Sequence, residues 1–92
     1  MTKQILLTAV VKEEGKGYSV ICPELNVASQ GETFEECMSN IKEAMELYIE
    51  SAEQIGIIDD VLEQLGISKE DFKKDKLMPR VITANVPIEI TI

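Results

Sequence analysis

Few residues in this chain have types and spacing suited to catalysis. There is no histidine, and the two cysteines, Cys22 and Cys37, form no CxxC pair. Ser29 sits in a Ser-Gln-Gly turn, but a serine nucleophile needs a base beside it, and no imidazole exists to serve. Zinc would have to take both cysteines plus carboxylates, a poor donor set. Two thiols make no disulfide framework, so they are expected to be small buried hydrophobes in a reducing cytosol. Carboxylates are what the chain has in abundance. Seventeen acidic residues stand against nine basic ones in 92, a formal charge of −8. That balance disfavours nucleic-acid binding, which demands clustered Lys and Arg, and favours a basic protein partner. No cofactor is implied.

The elements that must position these groups follow from hydrophobic pattern and turn chemistry. Residues 4–12, QILLTAVVK, are apolar on both faces, as in a central strand or one whose second face meets a partner. This run follows one Lys and lacks a small-residue cleavage site, so it reads as a strand and not as a signal peptide. EEGKG offers Gly15 and Gly17 for a hairpin turn, and YSVIC resumes the β pattern. Pro23 interrupts ladder pairing and residues 24–26 turn the chain. NVASQ is a short third strand broken by Gly31. Thr33 and Glu36 then form a capping box, in which hydroxyl and carboxylate each satisfy an orphaned backbone N–H.

A helix is expected from Phe34 to about Gln54. At about 100° per residue, Phe34, Cys37, Met38, Ile41, Ala44, Met45, Tyr48, Ile49 and Ala52 share one stripe. Glu35, Glu36, Glu43, Glu46, Glu50 and Glu53 share the opposite sector, interrupted by Lys42. Leu47 lies at the edge of that acidic sector, out of place for a large apolar residue. Gly56 is the expected stop. Residues 55–78 form a short helical insert in one 92-residue domain. Within it DDVLEQLG reads as a helix ending at Gly66, SKED at 68–71 as a cap opening a further turn through Phe72, and KKDK as a solvated charge run. The closing VITANVPIEITI alternates, with Ile82, Ala84, Val86, Ile88, Ile90 and Ile92 on one face, so a long strand with one buried face is expected. The fold class is α+β in the order β-β-β-α-β. A three-strand antiparallel meander carries the long helix on one face, and a fourth strand returns beside the first.

With strand, turn and capped helix in place, YSVICPELNVASQGETFEECMSNIKEAMELYIE resembles the HicB-family antitoxins of prokaryotic HicA–HicB toxin–antitoxin systems. The resemblance rests on Tyr18, Cys-Pro-Glu-Leu at 22–25, Ser-Gln-Gly-Glu-Thr at 29–33 and Asn-Ile-Lys-Glu-Ala at 40–44. It covers residues 5–53 closely and the last strand more loosely. Many members carry Pro-Gly-Cys where this chain has Asn26, Val27 and Ala28. The resemblance implies a partial RNase H-like fold and a cytoplasmic protein that binds a small basic HicA-type toxin and masks its RNA-cleaving surface. Within that resemblance the expected form is a short one, without the appended DNA-binding domain that many members carry.

An RNase H-like topology also raises the prospect of nuclease activity. That chemistry needs a carboxylate on the first strand to hold metal ions. QILLTAVV has none before Glu13, so the chain is not expected to be an enzyme. The contact candidates for the toxin are Tyr18, Glu24, Gln30 and Glu32 near the crowded turn, with Glu35, Glu36, Glu43, Glu46 and Glu50 on the acidic helix face. Leu47, Ile88 and Ile90 are the candidates for self-association into a dimer or higher oligomer. Two other readings fit the sequence: an interaction module without a toxin, and a weak DNA-binding autorepressor using residues 59–76.

Overall fold

The computed structural model describes residues 3–67, 70–71, 74 and 76–91. Seven elements follow in chain order: β1 (Gln4–Ile5), β2 (Val10–Glu14), β3 (Gly17–Cys22), β4 (Val27–Gly31), α1 (Phe34–Gln54), α2 (Ile58–Gln64) and β5 (Lys76–Leu77). β2, β3 and β4 form an antiparallel sheet in that order, and β1 pairs with β5 in parallel. This is the expected α+β arrangement.

The meander follows from its turns. Glu14 pairs with Gly17, leaving a two-residue loop in which Gly15 takes φ 57°. A positive φ at the first central position is where glycine is favoured in a tight hairpin. Gly17 does not share that conformation; it is needed for space, because a Cβ there would stand 2.8 Å from the Gly31 carbonyl oxygen. The β3–β4 connection closes with Cys22 opposite Val27, and Asn26 supplies the left-handed residue at φ 55°.

α1 spans the range its periodicity predicts. Thr33 is extended (φ −119°, ψ 162°), and its Oγ1 accepts the Glu36 N–H at 3.1 Å. Only half of the expected capping box forms: among the described residues, no bond joins the Glu36 carboxylate to the Thr33 N–H. Both helices stop as their glycines predict. Gly56 (φ 79°) donates to the Glu53 carbonyl and Ile57 to Ala52, and around Gly66 (φ 78°) the same pair of bonds reaches Glu63 and Leu62. Each is a left-handed helix end that satisfies two otherwise open carbonyls.

The core lies between the sheet and α1 and extends under α2. It contains Val20, Cys22, Leu25, Cys37, Ile41, Ala52, Val61, Leu65, Ile67 and Leu77. Both thiols are free and fully buried. On the helix stripe, Met38, Ala44, Met45 and Ile49 are half-buried, while Phe34 and Tyr48 stay exposed.

Three expectations need correction. The apolar run 4–12 is not one strand: pairing breaks between Ile5 and Val10, and Leu6 and Val10 are exposed. The strand beside the first is not the closing run but Lys76–Leu77, with Gln4 opposite Lys76 and Ile5 opposite Leu77. Residues 81–91 have no ladder partner among the described residues and are exposed throughout, so the expected buried face of Ile82, Ala84, Val86, Ile88 and Ile90 is not formed there. The reason is local. Pro79 has no N–H to extend the pairing, and the next N–H, from Arg80, bonds to the Leu65 carbonyl at 2.9 Å. The expected cap at 68–71 with its turn through Phe72, and the second half of the 59–76 DNA-reading segment, lie largely outside the described residues.

Candidate protein-docking face

An open depression of about 860 Å³ lies at one end of the sheet. The Gly17 end of β3, the Gly31 end of β4 and the first two turns of α1 build it. Gly31 fixes how closely they meet. A Cβ at this position would lie 2.5 Å from the Cys37 backbone nitrogen, so β4 abuts α1 backbone to backbone. The Asn40 amide closes the seam by donating to the Gln30 carbonyl at 2.8 Å. Tyr18 and Phe34 meet edge to face, with centroids 6.2 Å apart and planes at 83°, a favoured aromatic geometry.

Tyr18, Gln30, Glu32 and Glu36 all line this depression, together with Glu14, Lys16, Ser19 and Asn40. Three carboxylates against one ammonium make its rim anionic. Glu14 is already paired with Lys12 at 3.4 Å, both side chains well exposed. Glu14, Lys16, Ser19 and Asn40 were not among the site residues expected from the sequence. Asn40 had a detectable signal: it is a polar residue two turns after the cap, on the edge of the apolar stripe.

The other candidates are distributed elsewhere. Glu46 and Glu50, with Glu53 and Lys42, border a second, more apolar groove of about 570 Å³ floored by Ile5, Leu6, Leu7, Met45 and Ile49. Glu35 and Glu43 are exposed on α1 and line neither concavity. Leu47 is exposed on the same helix, and Ile88 and Ile90 are exposed in the closing segment.

Glu24 lies at the opposite end of β3, and its carboxylate is engaged inside the fold. It accepts the Thr8 N–H at 3.0 and 3.2 Å, the Thr8 hydroxyl at 2.6 Å and the Cys22 thiol at 3.5 Å. The sheet explains why. Extending the Val10–Ile21 register would set Thr8 opposite Pro23, and the Glu24 side chain supplies the ladder partner at that point. Burial pushes the Glu24 carboxyl up, but the hydrogen bonds from Thr8 outweigh it and hold the group below the usual carboxylate value. Burial also pushes the Cys22 thiol up, and the adjoining carboxylate adds to the effect.

No helix among the described residues is long and apolar enough to cross a membrane. Among the described residues, no group of three or more potential metal ligands comes together.

A family model described as the HicB-like antitoxin of bacterial toxin–antitoxin systems matches residues 6–89. A UPF0150 protein of Synechocystis is 46% identical over 61 residues, which cover 65% of this chain and 67% of that protein. A UPF0150 protein of Helicobacter pylori is 44% identical over 46 residues, 49% of this chain and 64% of that protein. The chain thus spans about two thirds of the length of each. No solved structure gives a significant match.

Proposed function

The chain belongs to the HicB-like antitoxin family of bacterial toxin–antitoxin systems, and from that premise we propose that it neutralises a small basic HicA-type toxin by covering the surface with which that toxin binds and cleaves mRNA. The family implies an antitoxin role and a toxin as partner. The finer reading, occlusion of a cationic HicA-type nuclease by a partial RNase H-like domain in the cytoplasm, is ours. We read the chain as a binding protein that performs no chemistry of its own and associates with itself.

The observation that carries this reading is the open anionic depression beside an exposed acidic helix face. Glu32 and Glu36 stand at its rim, Tyr18 offers a half-buried ring, and Glu35, Glu43, Glu46 and Glu50 extend the negative field along α1. A ribonuclease must present cations to hold its substrate. Carboxylates set against those cations exclude phosphate and make charge-assisted hydrogen bonds in its place. Tyr18 is the aromatic anchor in this arrangement.

Co-expression with the product of an adjacent reading frame encoding a small basic, histidine-containing protein tests the reading. Growth arrest by that neighbour should be relieved by the wild-type chain. Relief should fail for the double reversal Glu32→Lys with Glu36→Lys, provided the variant melts as the wild type does. Continued arrest with the wild-type chain present, and no complex on purification, would overturn it. A gel shift of the upstream operator by this chain alone, surviving moderate salt, would favour the repressor reading instead.

A further inference from the structure

The structure leaves two complementary elements of the same chain unpaired. One is the outer edge of β2. The sheet order is β2-β3-β4, so among the described residues this edge has no strand beside it. The apolar groove of Ile5, Leu6, Leu7, Met45 and Ile49 runs between the segment leading into β2 and α1. The other element is residues 81–91, where Ile82, Val86, Ile88 and Ile90 are 93%, 73%, 76% and 76% exposed. We propose that residues 81–91 of one copy add as a strand to the outer edge of β2 in a second copy, reciprocally, with their alternate apolar side chains seated in the groove beneath.

Pairing within one chain is obstructed. Continuing the β1–β5 register would bring Ile82 alongside Val10, and so lead the segment onto its own β2. The chain is diverted before it arrives. Pro79 has no N–H, the Arg80 N–H is spent on Leu65, and the Arg80 guanidinium lies 3.6 Å from the Asp71 carboxylate. The Arg80 side chain also fits over Gly66, where a Cβ would come within 2.9 Å of it. The segment therefore leaves the body at the end of α2. The radius of gyration shows the result: 15.7 Å, with extents of 50 × 30 × 23 Å, against about 12 Å for a compact chain of this length.

The chemistry of the segment favours a copy of this chain over a basic protein. Its only charge is Glu89, a far weaker lure for a cationic surface than the acidic face of α1, whereas its apolar face suits the groove. Pro87 sets the pairing edge. Backbone groups of alternate residues point to opposite edges of a strand. Pro87 removes a donor from the edge shared by residues 83, 85 and 89, and the edge of Ile82, Ala84, Val86, Ile88 and Ile90 is complete. Pairing by the complete edge leaves the proline edge outermost, which blunts further addition and closes the assembly as a dimer. The competing edge, that of β4, is the poorer acceptor, because Gly31 is jammed against α1 and Asn40 occupies the Gln30 carbonyl.

This deepens the self-association part of the functional reading and is independent of the toxin part, so the full chain is tested alone. Sedimentation equilibrium should give twice the 10.3 kDa chain mass, and hydrogen exchange should show slowed amides along residues 10–14. Val86→Pro, on the complete edge, and Ile88→Asp should each weaken the dimer at least tenfold and release that protection, with circular dichroism of the body unchanged. Asn85→Pro, on the edge already interrupted by Pro87, should retain both. A monomer at all concentrations would overturn the proposal. So would a dimer indifferent to Val86→Pro and Ile88→Asp, or one in which residues 10–14 exchange freely.

Discussion

β3 and residues 81–91 both alternate apolar with polar residues, yet Val20 and Cys22 of β3 are sealed beneath α1 while Ile82, Val86, Ile88 and Ile90 face outward. Alternation decides which side chains share a face; whether that face is covered depends on what can be brought against it. For β3 the cover is delivered by short-range chemistry. Asn26 turns the chain, Gly31 permits backbone contact, Thr33 starts a helix, and the stripe of α1 lands on the sheet. Residues 81–91 emerge from a proline and an arginine tethered at the end of α2, which leads them away from the body.

The sharpest way to break this contrast is to pry β4 from α1. Gly31→Ala forces a methyl against the Cys37 nitrogen, a backbone atom that cannot swing away, and we expect a loss of roughly 4 kcal/mol or more in urea unfolding. Ile41→Ala comes next. Ile41 is 1% exposed in the centre of the core, and its truncation should destabilise by about 3 kcal/mol.

Glu24 gives a smaller effect with a distinctive pH dependence. Its folded-state carboxyl is held below the usual value, so its stabilisation is complete above the unfolded-state pKa and is lost as pH falls through the folded one. Glu24→Gln should lower stability by about 1 kcal/mol at neutral pH. Wild type and variant should converge in acid, below the ordinary carboxylate range; parallel curves at all pH values would contradict the assignment. Thr33→Ala, which removes the bond to the Glu36 N–H, should also destabilise by about 1 kcal/mol. Smallest of all, Ile88→Ala at concentrations that favour the monomer should change unfolding by less than about 0.5 kcal/mol. A loss comparable to that of Ile41→Ala would mean that the segment is covered within its own chain.

Much of the fold was legible because it is encoded over short spans. The Gly15 hairpin, the α1 limits, and the glycine stops at 56 and 66 each depend on residues a few positions apart. The features that were missed depend on distant partners. The break in the first strand is tied to Glu24, sixteen residues from the Thr8 groups it binds, and a lone glutamate in a turn reads as a surface charge. The short β5 is hidden inside a charged run, where only Leu77 is apolar and buried. For the candidate face, the sequence grouped Tyr18, Glu24, Gln30 and Glu32; the structure brings Tyr18, Gln30 and Glu32 to one depression, adds Glu36 from the acidic helix face, and puts Glu24 at the other end of β3. It could not separate the acids bordering the depression from Glu46 and Glu50 at the second groove, since a helical wheel gives angle and not height along the sheet.

The central proposal is that the depression between β3, β4 and the start of α1 receives the toxin. Amide hydrogen exchange on the complex with the basic protein of the neighbouring frame tests it most directly. Slowed exchange is expected over residues 17–19 and 30–40, with little toxin-dependent change in residues 81–91. Protection confined to the closing segment, with the depression exchanging as in the free chain, would contradict it.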